Sequence, residues 1–486
     1  MKNIYLIGSI LLTFIFNIQS QSLQFKYAEI PLGQITPTNW LKQQSDILKN
    51  GSTGHLDEFH KKIQIDNGWL GGKGDDWEET PYWLDGALPL AYITKDPALI
   101  QKVNKYVQWT LNTQRPSGFF GPYSKYETET GKPVEIGSQG ADWWPRMVML
   151  KVLQQYYQAT NDPRVIPFMQ KYFAYQLKNL KENPLEKWTE WAKARGGDNL
   201  MIVYWLYNIT KDPNLITLGD LIYSQSFQWT DMLGKRDWAI AAAYNQTGER
   251  WMERHAVNVG MGIKMPAIQY QIKNDPYFLN SLRTGFKDLM TLHGLPHGMF
   301  SGDEDIHGND PVQGTELCAT VEAMYSLEQI ISITGETHYM DALERMTFNA
   351  LPAQTTEDFY HRQYFGIANQ VEIKKGIYNI SGQEKMDYID MIHEIKFFNK
   401  IHTPTIKIPF FIFYLFIRFS SFVSIFFPSL VLSSLLLLSS LFTFFSLNSF
   451  LSLNYRKPHN HLDCPKNRQF QLVFVQLIRL QHLQLL

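Results

Sequence analysis

The densest group of acidic side chains in the sequence is the run Asp303-Glu304-Asp305, which follows Gly302. Adjacent carboxylates repel one another, and such repulsion is a general way to raise a carboxyl pKa towards the range of a general acid. The central residue, Glu304, is therefore the candidate proton donor.

Glu316 and Cys318 lie two positions apart, shortly after this loop. A carboxylate oxygen and a thiolate sulfur are both zinc ligands, and a structural zinc site needs four ligands in all. The pair therefore predicts two of the four ligands of a zinc site.

Tryptophans stand beside carboxylates in the segments Trp83-Leu84-Asp85 and Asp142-Trp143. An indole face stacks on the C–H face of a sugar, and a carboxylate accepts hydrogen bonds from hydroxyl groups. Trp83, Asp85, Asp142 and Trp143 are thus candidate sugar ligands. The alternative is that the tryptophans belong to the core and the aspartates cap helices. A single histidine, His255, begins a helical stretch and is either a structural hydrogen-bonding residue or part of the same site.

A recurring turn separates the segments of helical periodicity. Asp-Pro pairs occur at Asp96, Asp162, Asp212 and Asp275, and Glu336 takes the similar place after Gly335. Aspartate at the N-cap accepts free backbone N–H groups, and proline at the first helical position has no N–H to leave unpaired. These positions are 66, 50, 63 and 61 residues apart. Each interval has room for one helical hairpin.

Hairpins of this length cannot bury a face alone, so they must stack on their neighbours. Repeat arrays have shorter and more regular periods, and the irregular spacing therefore favours a closed toroid. The sequence predicts a mainly α fold in which the loops before the inner helices surround one central pocket.

Composition limits the possible functions. The 45 basic and 46 acidic residues give a net charge of −1, which argues against a nucleic-acid-binding protein. Hydrophobic residues make up 44% of the chain, which is enough for a large core. Two cysteines, Cys318 and Cys464, exclude a disulfide framework.

The N-terminal residues 1–20 have one early lysine and a short apolar run, as in a secretory signal peptide. A buried helix or a membrane anchor is the alternative. Glycosylation sequons at Asn50, Asn208, Asn245 and Asn379 also fit export, so we expect a secreted, extracellular protein.

The composition changes abruptly near residue 379. Residues 419–454 contain no charge and consist mostly of Phe, Leu and Ser. By hydropathy, residues 379–486 hold a transmembrane segment. The alternative is that this tail is an unstructured, translated intron or shifted reading frame, since it lacks caps, alternation and turn residues.

Several segments together resemble glycoside hydrolase family 127, the β-L-arabinofuranosidase-like enzymes, over residues 25–378. They are Trp83-Leu84-Asp85-Gly86, Arg254-His255-Ala256-Val257-Asn258, Asp303-Glu304, Gly314-Thr315-Glu316-Leu317-Cys318, Glu344-Arg345 with Asn349, and Tyr364-Phe365 with Asn369-Gln370.

The resemblance implies an (α/α)6 toroid of the six-hairpin glycosidase type and release of L-arabinofuranose, from an oligosaccharide or polysaccharide, with retention of configuration. It also implies that Glu304 is the acid/base and that Glu316 and Cys318 bind zinc. His255, Glu344 and Tyr364 would line the sugar site. The segment around Gly196-Gly197-Asp198-Asn199 differs from the histidine-bearing motif of the best-known branch, which leaves the accepted sugar open.

The family's remaining zinc thiolates, one of which is the nucleophile, come from a Cys-Cys pair that this sequence lacks. We therefore expect an incomplete zinc site and an inactive enzyme. The alternative function is a membrane-anchored protein that binds carbohydrate without cleaving it. Sugar epimerases and polysaccharide lyases also use helical toroids, but they require a histidine pair or a tyrosine base.

Overall fold

Helical hairpins follow one another along the chain in the computed structural model, which describes residues 23, 25–122, 141–243, 251–302, 304–310 and 314–367. All of these residues belong to one compact unit. The predicted signal peptide and the tail from residue 379 lie outside the described residues. Among the described helices, none has the length and apolarity needed to cross a membrane.

Within the described residues, five hairpins each pair an inner helix with an outer helix. The first three are α4 (Glu79–Thr94) with α5 (Pro97–Asn112), α6 (Trp143–Thr160) with α7 (Val165–Asn179), and α9 (Gly196–Thr210) with α10 (Pro213–Gln225). In the fourth, α13 (Ala256–Gly262) and α14 (Met265–Lys273) form the inner side and α15 (Pro276–His293) the outer. The fifth pairs α16 (Leu317–Thr334) with α17 (Thr337–Arg345).

Short elements complete the fold. Helices α1 (Asn39–Asn50), α2 (Ser52–Phe59) and α3 (Lys61–Gln64) precede the hairpins, and α8 (Glu190–Ala194), α11 (Trp229–Leu233) and α12 (Arg236–Ala243) lie between them. Strands β1 (Gly314–Glu316) and β2 (Phe365–Ile367) pair antiparallel, with Glu316 opposite Phe365.

The inner helices contact one another in chain order and form a ring. Helix α4 packs on α6, α6 on α9, α9 on α13 and α14, and these on α16. The N-terminal helices join the two ends of the series, because Trp40 of α1 packs edge-on against Phe348, after the fifth hairpin, at 5.7 Å. The predicted mainly α toroid is confirmed.

The recurring turn connects each inner helix to its outer partner. In the first hairpin, the Thr94 hydroxyl donates to the Leu90 carbonyl at 2.7 Å, and Lys95 adopts a left-handed φ of 56°. The Asp96 carboxylate then accepts from the Leu99 amide at 2.9 Å. The helix starts predicted at Pro97, Pro213 and Pro276 are confirmed. Helix α7 begins at Val165, two residues after its Asp-Pro pair, although the Asp162 carboxylate accepts from the amide two positions on, as Asp212 and Asp275 do.

Inner and outer helices differ in burial, as their sequences require. Residues 143–156 of α6 are all buried, so this helix has no solvent-facing side. In α5 only Leu99, Val103, Tyr106, Val107 and Thr110 are buried, which is one face of an amphipathic helix. The apolar core therefore lies between the two layers and around the ring.

Charged side chains also occur at the inner layer. Lys151 of α6 pairs with Asp85 of α4 at 2.6 Å, and Lys264, which precedes α14, pairs with Asp198 of α9 at 2.9 Å. Glu322 of α16 is buried within the field of both lysines. Loss of one partner from a buried ion pair is strongly destabilising, because it leaves an uncompensated charge in the interior. These contacts therefore favour one relative position of the neighbouring inner helices.

Candidate active site

The residues that precede the inner helices gather at one end of the ring. Glu78, Asp142, Arg195, His255 and Glu316 occupy the N-cap positions of α4, α6, α9, α13 and α16. Successive inner helices run in the same direction because an outer helix returns the chain each time. Their N-termini carry partial positive charge, which favours carboxylates and hydroxyl oxygens at this end.

Backbone pairing brings the Glu304 loop against the start of α13. His255 and Asp305 form an antiparallel bridge, and the Ala256 amide donates to the Glu304 carbonyl at 2.5 Å. The Ile306 amide donates to the Arg254 carbonyl at 2.9 Å. These bonds fix the Glu304 backbone beside His255.

A second set of backbone bonds joins the same loop to β1. The Gly302 amide donates to the Gly314 carbonyl, and the Glu316 amide donates to the Gly302 carbonyl, both at 2.8 Å. The Leu317 amide donates to the Tyr364 carbonyl at 2.9 Å. A Cβ atom on Gly302 would lie 2.3 Å from the Ala256 Cβ, so only glycine permits this close approach.

The Glu304 carboxyl is held from both sides. His255 Nε2 lies 3.0 Å from Glu304 Oε2, and the Tyr364 hydroxyl donates to Glu304 Oε1 at 3.3 Å. Glu304 adopts a φ of 95°, a region that disfavours every residue except glycine, as is common at functional sites. Its side chain is 22% exposed and that of His255 only 5%, so a ligand can reach the carboxyl.

Glu316 lies beneath this pair and is 2% exposed. Burial, followed by the nearby Glu304 carboxylate, raises the pKa of Glu316, while the Tyr364 hydroxyl and the Cys318 thiol donate hydrogen bonds to it. Its Oε2 atom has no hydrogen-bond partner among the described residues. Burial and the Glu316 charge raise the pKa of Cys318 well above its usual value, which keeps the thiol protonated.

An aromatic wall flanks the carboxyl group. The Arg195 guanidinium stacks between Trp144, at 4.6 Å, and Trp191, at 4.3 Å, and Trp191 packs edge-on against His255 at 5.3 Å. Arg195 Nη1 lies 3.6 Å from Glu78 Oε2, which also accepts from Trp144 Nε1. Trp144 is fully buried, so Trp191, which is partly exposed, is the indole of this wall that a sugar could stack on.

One ligand atom from each of His255, Glu304 and Glu316 lies within 4.8 Å of the other two. The site therefore contains a group that could bind a metal ion. Of the thiolate set implied by the family resemblance, the described residues contain only Glu316 and Cys318, because Cys318 is their one cysteine. Cys464 lies outside the described residues.

The family model described as Beta-L-arabinofuranosidase, GH127 catalytic domain, matches residues 24–376. The chain belongs to this family. The predicted GH127 membership is thus confirmed, with nearly the range that the motifs indicated. A search of curated proteins found no match.

Solved structures show the same fold. A structure named Glycoside hydrolase is 14% identical to this chain, with a TM-score of 0.51. The match covers 76% of this chain and 59% of the other. Ara127N-Se, a GH127 beta-L-arabinofuranosidase from Geobacillus stearothermophilus T6, is also 14% identical, with a TM-score of 0.51. That match covers 68% of this chain and 58% of the other. The chain therefore spans about three fifths of the length of these structures.

Of the residues that the GH127 resemblance assigned, the structure brings together Glu304, Glu316, His255 and Tyr364, with Cys318 in contact with Glu316. Glu344 is separated from them. It is exposed in the last turn of the outer helix α17, on the polar face of an amphipathic helix. Asp303 lies outside the described residues.

The predicted Trp and Asp sugar ligands mostly make internal contacts. Trp83 is 3% exposed and donates to the Thr53 carbonyl at 2.9 Å, which places it in the core. Trp143 is also buried and donates to the Asn183 carbonyl at 3.0 Å. Asp85 pairs with Lys151 inside the ring.

Asp142 has the position expected of a site residue, although its carboxylate is occupied. It caps α6 through the Trp144 amide at 3.1 Å and accepts from Trp77 Nε1 at 2.9 Å and from the Thr189 hydroxyl at 3.0 Å. It therefore supports the loops that form the aromatic wall.

The sequence analysis missed Arg195 and Trp191, which connect the Glu78 side of the site to His255. A signal was present, since the two residues are four positions apart, directly before the glycine pair that begins α9. That spacing puts an indole and a cation on one helical face just before an inner helix.

Proposed function

We propose that this protein is a glycoside hydrolase that binds a non-reducing-end L-arabinofuranoside of an oligosaccharide or polysaccharide. The observation that carries the proposal is the Glu304 carboxyl, held by His255 at 3.0 Å and by Tyr364 at 3.3 Å in a chain of the GH127 family.

Glu304 acts as the proton donor to the leaving glycosidic oxygen. The Tyr364 hydroxyl and the His255 imidazole orient its two oxygens. A ligand can reach the Glu304 carboxyl, because this side chain is more exposed than that of His255. The sugar ring packs on the partly exposed indole of Trp191, which lies against His255.

The described residues carry sugar binding and proton donation. In GH127 the nucleophile is a zinc-bound thiolate of a Cys-Cys pair, and Cys318 is the one cysteine of the described residues. Glu316 and Cys318 match two of the family's four zinc ligands.

The test uses 4-nitrophenyl β-L-arabinofuranoside, with binding measured by calorimetry and nitrophenol release by absorbance. Wild-type protein is compared with Glu304→Gln and Tyr364→Phe, and Glu344→Gln is the matched control because that carboxylate is exposed on α17. Saturable binding and release that depends on Glu304 would support the hydrolase. A ligand that fails to bind at any concentration would contradict the proposal.

A second candidate function is carbohydrate binding without cleavage. The observation that favours it is that Cys318 is the one cysteine of the described residues, so these residues hold no Cys-Cys pair. Tight binding of the glycoside with no nitrophenol release from wild-type protein would select this function. Membrane anchoring through residues 379–486 concerns a segment outside the described residues.

We also propose that the protein is secreted, as the pattern of residues 1–20 indicates. N-terminal sequencing of protein recovered from the culture medium would then begin near residue 21. Retention of the intact N-terminus inside the cell would contradict export.

A further inference from the structure

We propose that His293 is a positioning residue of the Glu304 loop, residues 301–308, because it binds both ends of that loop. The proposal rests on the function proposed above, since it concerns the residue that donates the proton. His293 is the last residue of the outer helix α15 and is 0% exposed. A ligand cannot reach its side chain, so its role is to hold the loop.

Both ends of the loop form hydrogen bonds with His293. The Ser301 amide donates to the His293 carbonyl at 2.8 Å, and the Gly308 amide donates to His293 Nδ1 at 2.9 Å. The Ser301 hydroxyl also donates to the Gly308 carbonyl, which joins the two ends directly. These ends are seven positions apart in the chain, with Glu304 between them. One residue therefore closes the base of the loop.

The two partners of the imidazole determine which nitrogen carries its proton. A backbone amide only donates, so Nδ1 accepts from Gly308 and carries no proton. A carbonyl only accepts, so Nε2 donates its proton to Ala239 of α12 at 3.0 Å. Burial lowers the pKa of His293 to about 4, which favours the neutral ring that both bonds require. The imidazole thus connects the loop to the helical scaffold.

Closure of the base affects the middle of the loop, where Glu304 adopts a φ of 95°. Two main-chain bonds hold this middle part against the start of α13: the Ala256 amide donates to the Glu304 carbonyl, and the Ile306 amide donates to the Arg254 carbonyl. A loop with free ends has many more backbone conformations than one whose ends are joined. His293 removes this freedom, and the strained conformation of Glu304 is thereby retained.

Two substitutions separate the bond to the loop from the bond to the scaffold. Asparagine places a carboxamide oxygen near the position of Nδ1, so His293→Asn keeps an acceptor for the Gly308 amide and loses the donor to Ala239. Glutamine places its amide nitrogen near the position of Nε2, so His293→Gln keeps that donor and loses the acceptor. Each variant removes one hydrogen bond from a backbone group, so a purely structural role predicts equal effects of the two.

Hydrogen exchange measured by mass spectrometry on the full chain tests the proposal without requiring catalysis. In His293→Gln we expect peptides that cover residues 301–308 to exchange about tenfold faster than in the wild-type protein, because the base of the loop opens. His293→Asn should restore most of the protection. His338→Gln is the matched control, since that histidine is exposed on α17. Peptides of α16 should exchange alike in all four proteins, and circular dichroism confirms that each is folded.

Turnover of 4-nitrophenyl β-L-arabinofuranoside gives a second measurement. A displaced acid slows proton transfer but leaves the indole of Trp191 in place for the sugar. His293→Gln should therefore lower kcat by about tenfold or more, while the dissociation constant of the glycoside changes little. His293→Asn should recover most of the lost turnover.

Three results would overturn the inference. Unprotected exchange of residues 301–308 in the wild-type protein would show that the base of the loop is open, and this measurement requires no variant to fold. Equal exchange in wild-type protein and His293→Gln would show that the loop holds without the imidazole. Equal acceleration in both His293 variants would assign the effect to packing rather than to the bond with Gly308. Nitrophenol release by the wild-type protein tests the proposed function separately, so either proposal can fail alone.

Discussion

Nε2 of His255 lies 3.0 Å from Oε2 of Glu304, although the two residues are 49 positions apart in the chain. The contact connects the start of an inner helix to a loop in which Glu304 adopts a φ of 95°. A strained backbone persists only where its surroundings hold it, and here the bond from the Ala256 amide to the Glu304 carbonyl and the bonds of Gly302 with β1 do so. The orientation of the proposed proton donor thus depends on the ring as a whole.

Glu304→Gln should lower the turnover of an arabinofuranoside by about 10² to 10⁴-fold, because general acid catalysis contributes roughly that factor. The amide keeps its shape and its contacts with Tyr364 and His255, so the dissociation constant of the glycoside should change little. Steady-state kinetics and calorimetry measure the two quantities. Equal turnover by the variant would remove Glu304 from the acid role.

Gly302→Ala should destabilise the protein by about 1 to 3 kcal/mol, the usual cost of forcing an extra methyl group into a packed region. The new Cβ would lie 2.3 Å from that of Ala256. Gly197→Ala is the matched control, since its Cβ would meet nothing nearer than 3.8 Å. Urea unfolding compares the two variants, and an equal free energy of unfolding would show that the loop relaxes freely.

Asp212→Ala should cost about 0.5 to 2 kcal/mol of unfolding free energy, the range measured for loss of an N-cap. The Asp212 carboxylate accepts from the Asn214 amide at 2.9 Å at the start of α10. Asp220→Ala in the same helix is the control, because it removes only an exposed ion pair with Lys273. Thermal unfolding that ranks the two variants in the opposite order would argue against capping.

Glu322→Gln should stabilise the protein more at pH 8 than at pH 5. Burial raises the pKa of Glu322 in the folded protein above the value of about 4.3 expected for an unfolded glutamate. Its contribution to stability is therefore complete at low pH and is lost as the pH rises through the folded pKa. Melting temperatures of variant and wild type at both pH values test this. A constant difference between them would show that Glu322 does not titrate across this range.

Much of the fold could be predicted from local chemistry. The Asp-Pro turns fix where α5, α10 and α15 begin, because the cap and the proline act within four residues. Glu304 could be identified because it is the centre of a run of three acids, and Glu316 because Cys318 follows two positions later.

The rest depends on tertiary contacts that have no local signal. An inner helix such as α6 is buried on all sides, so its sequence does not show which face meets the ring centre, and Lys151 and Lys264 were not singled out. Trp83 belongs to a tryptophan and carboxylate motif, yet it packs into the core. Glu344 lies in a family-like segment but on the outer layer.

The placement of the site at the N-cap positions ties the evolution of specificity to that of stability. Asp142 caps α6 through the Trp144 amide, and Arg195 lies 3.6 Å from Glu78. Exchange of one of these residues alters the charge or shape presented to a ligand, but it also removes a cap or leaves a charge without its partner. A lineage with this scaffold would therefore acquire new sugar preferences through paired substitutions, in which the second restores the stability that the first costs.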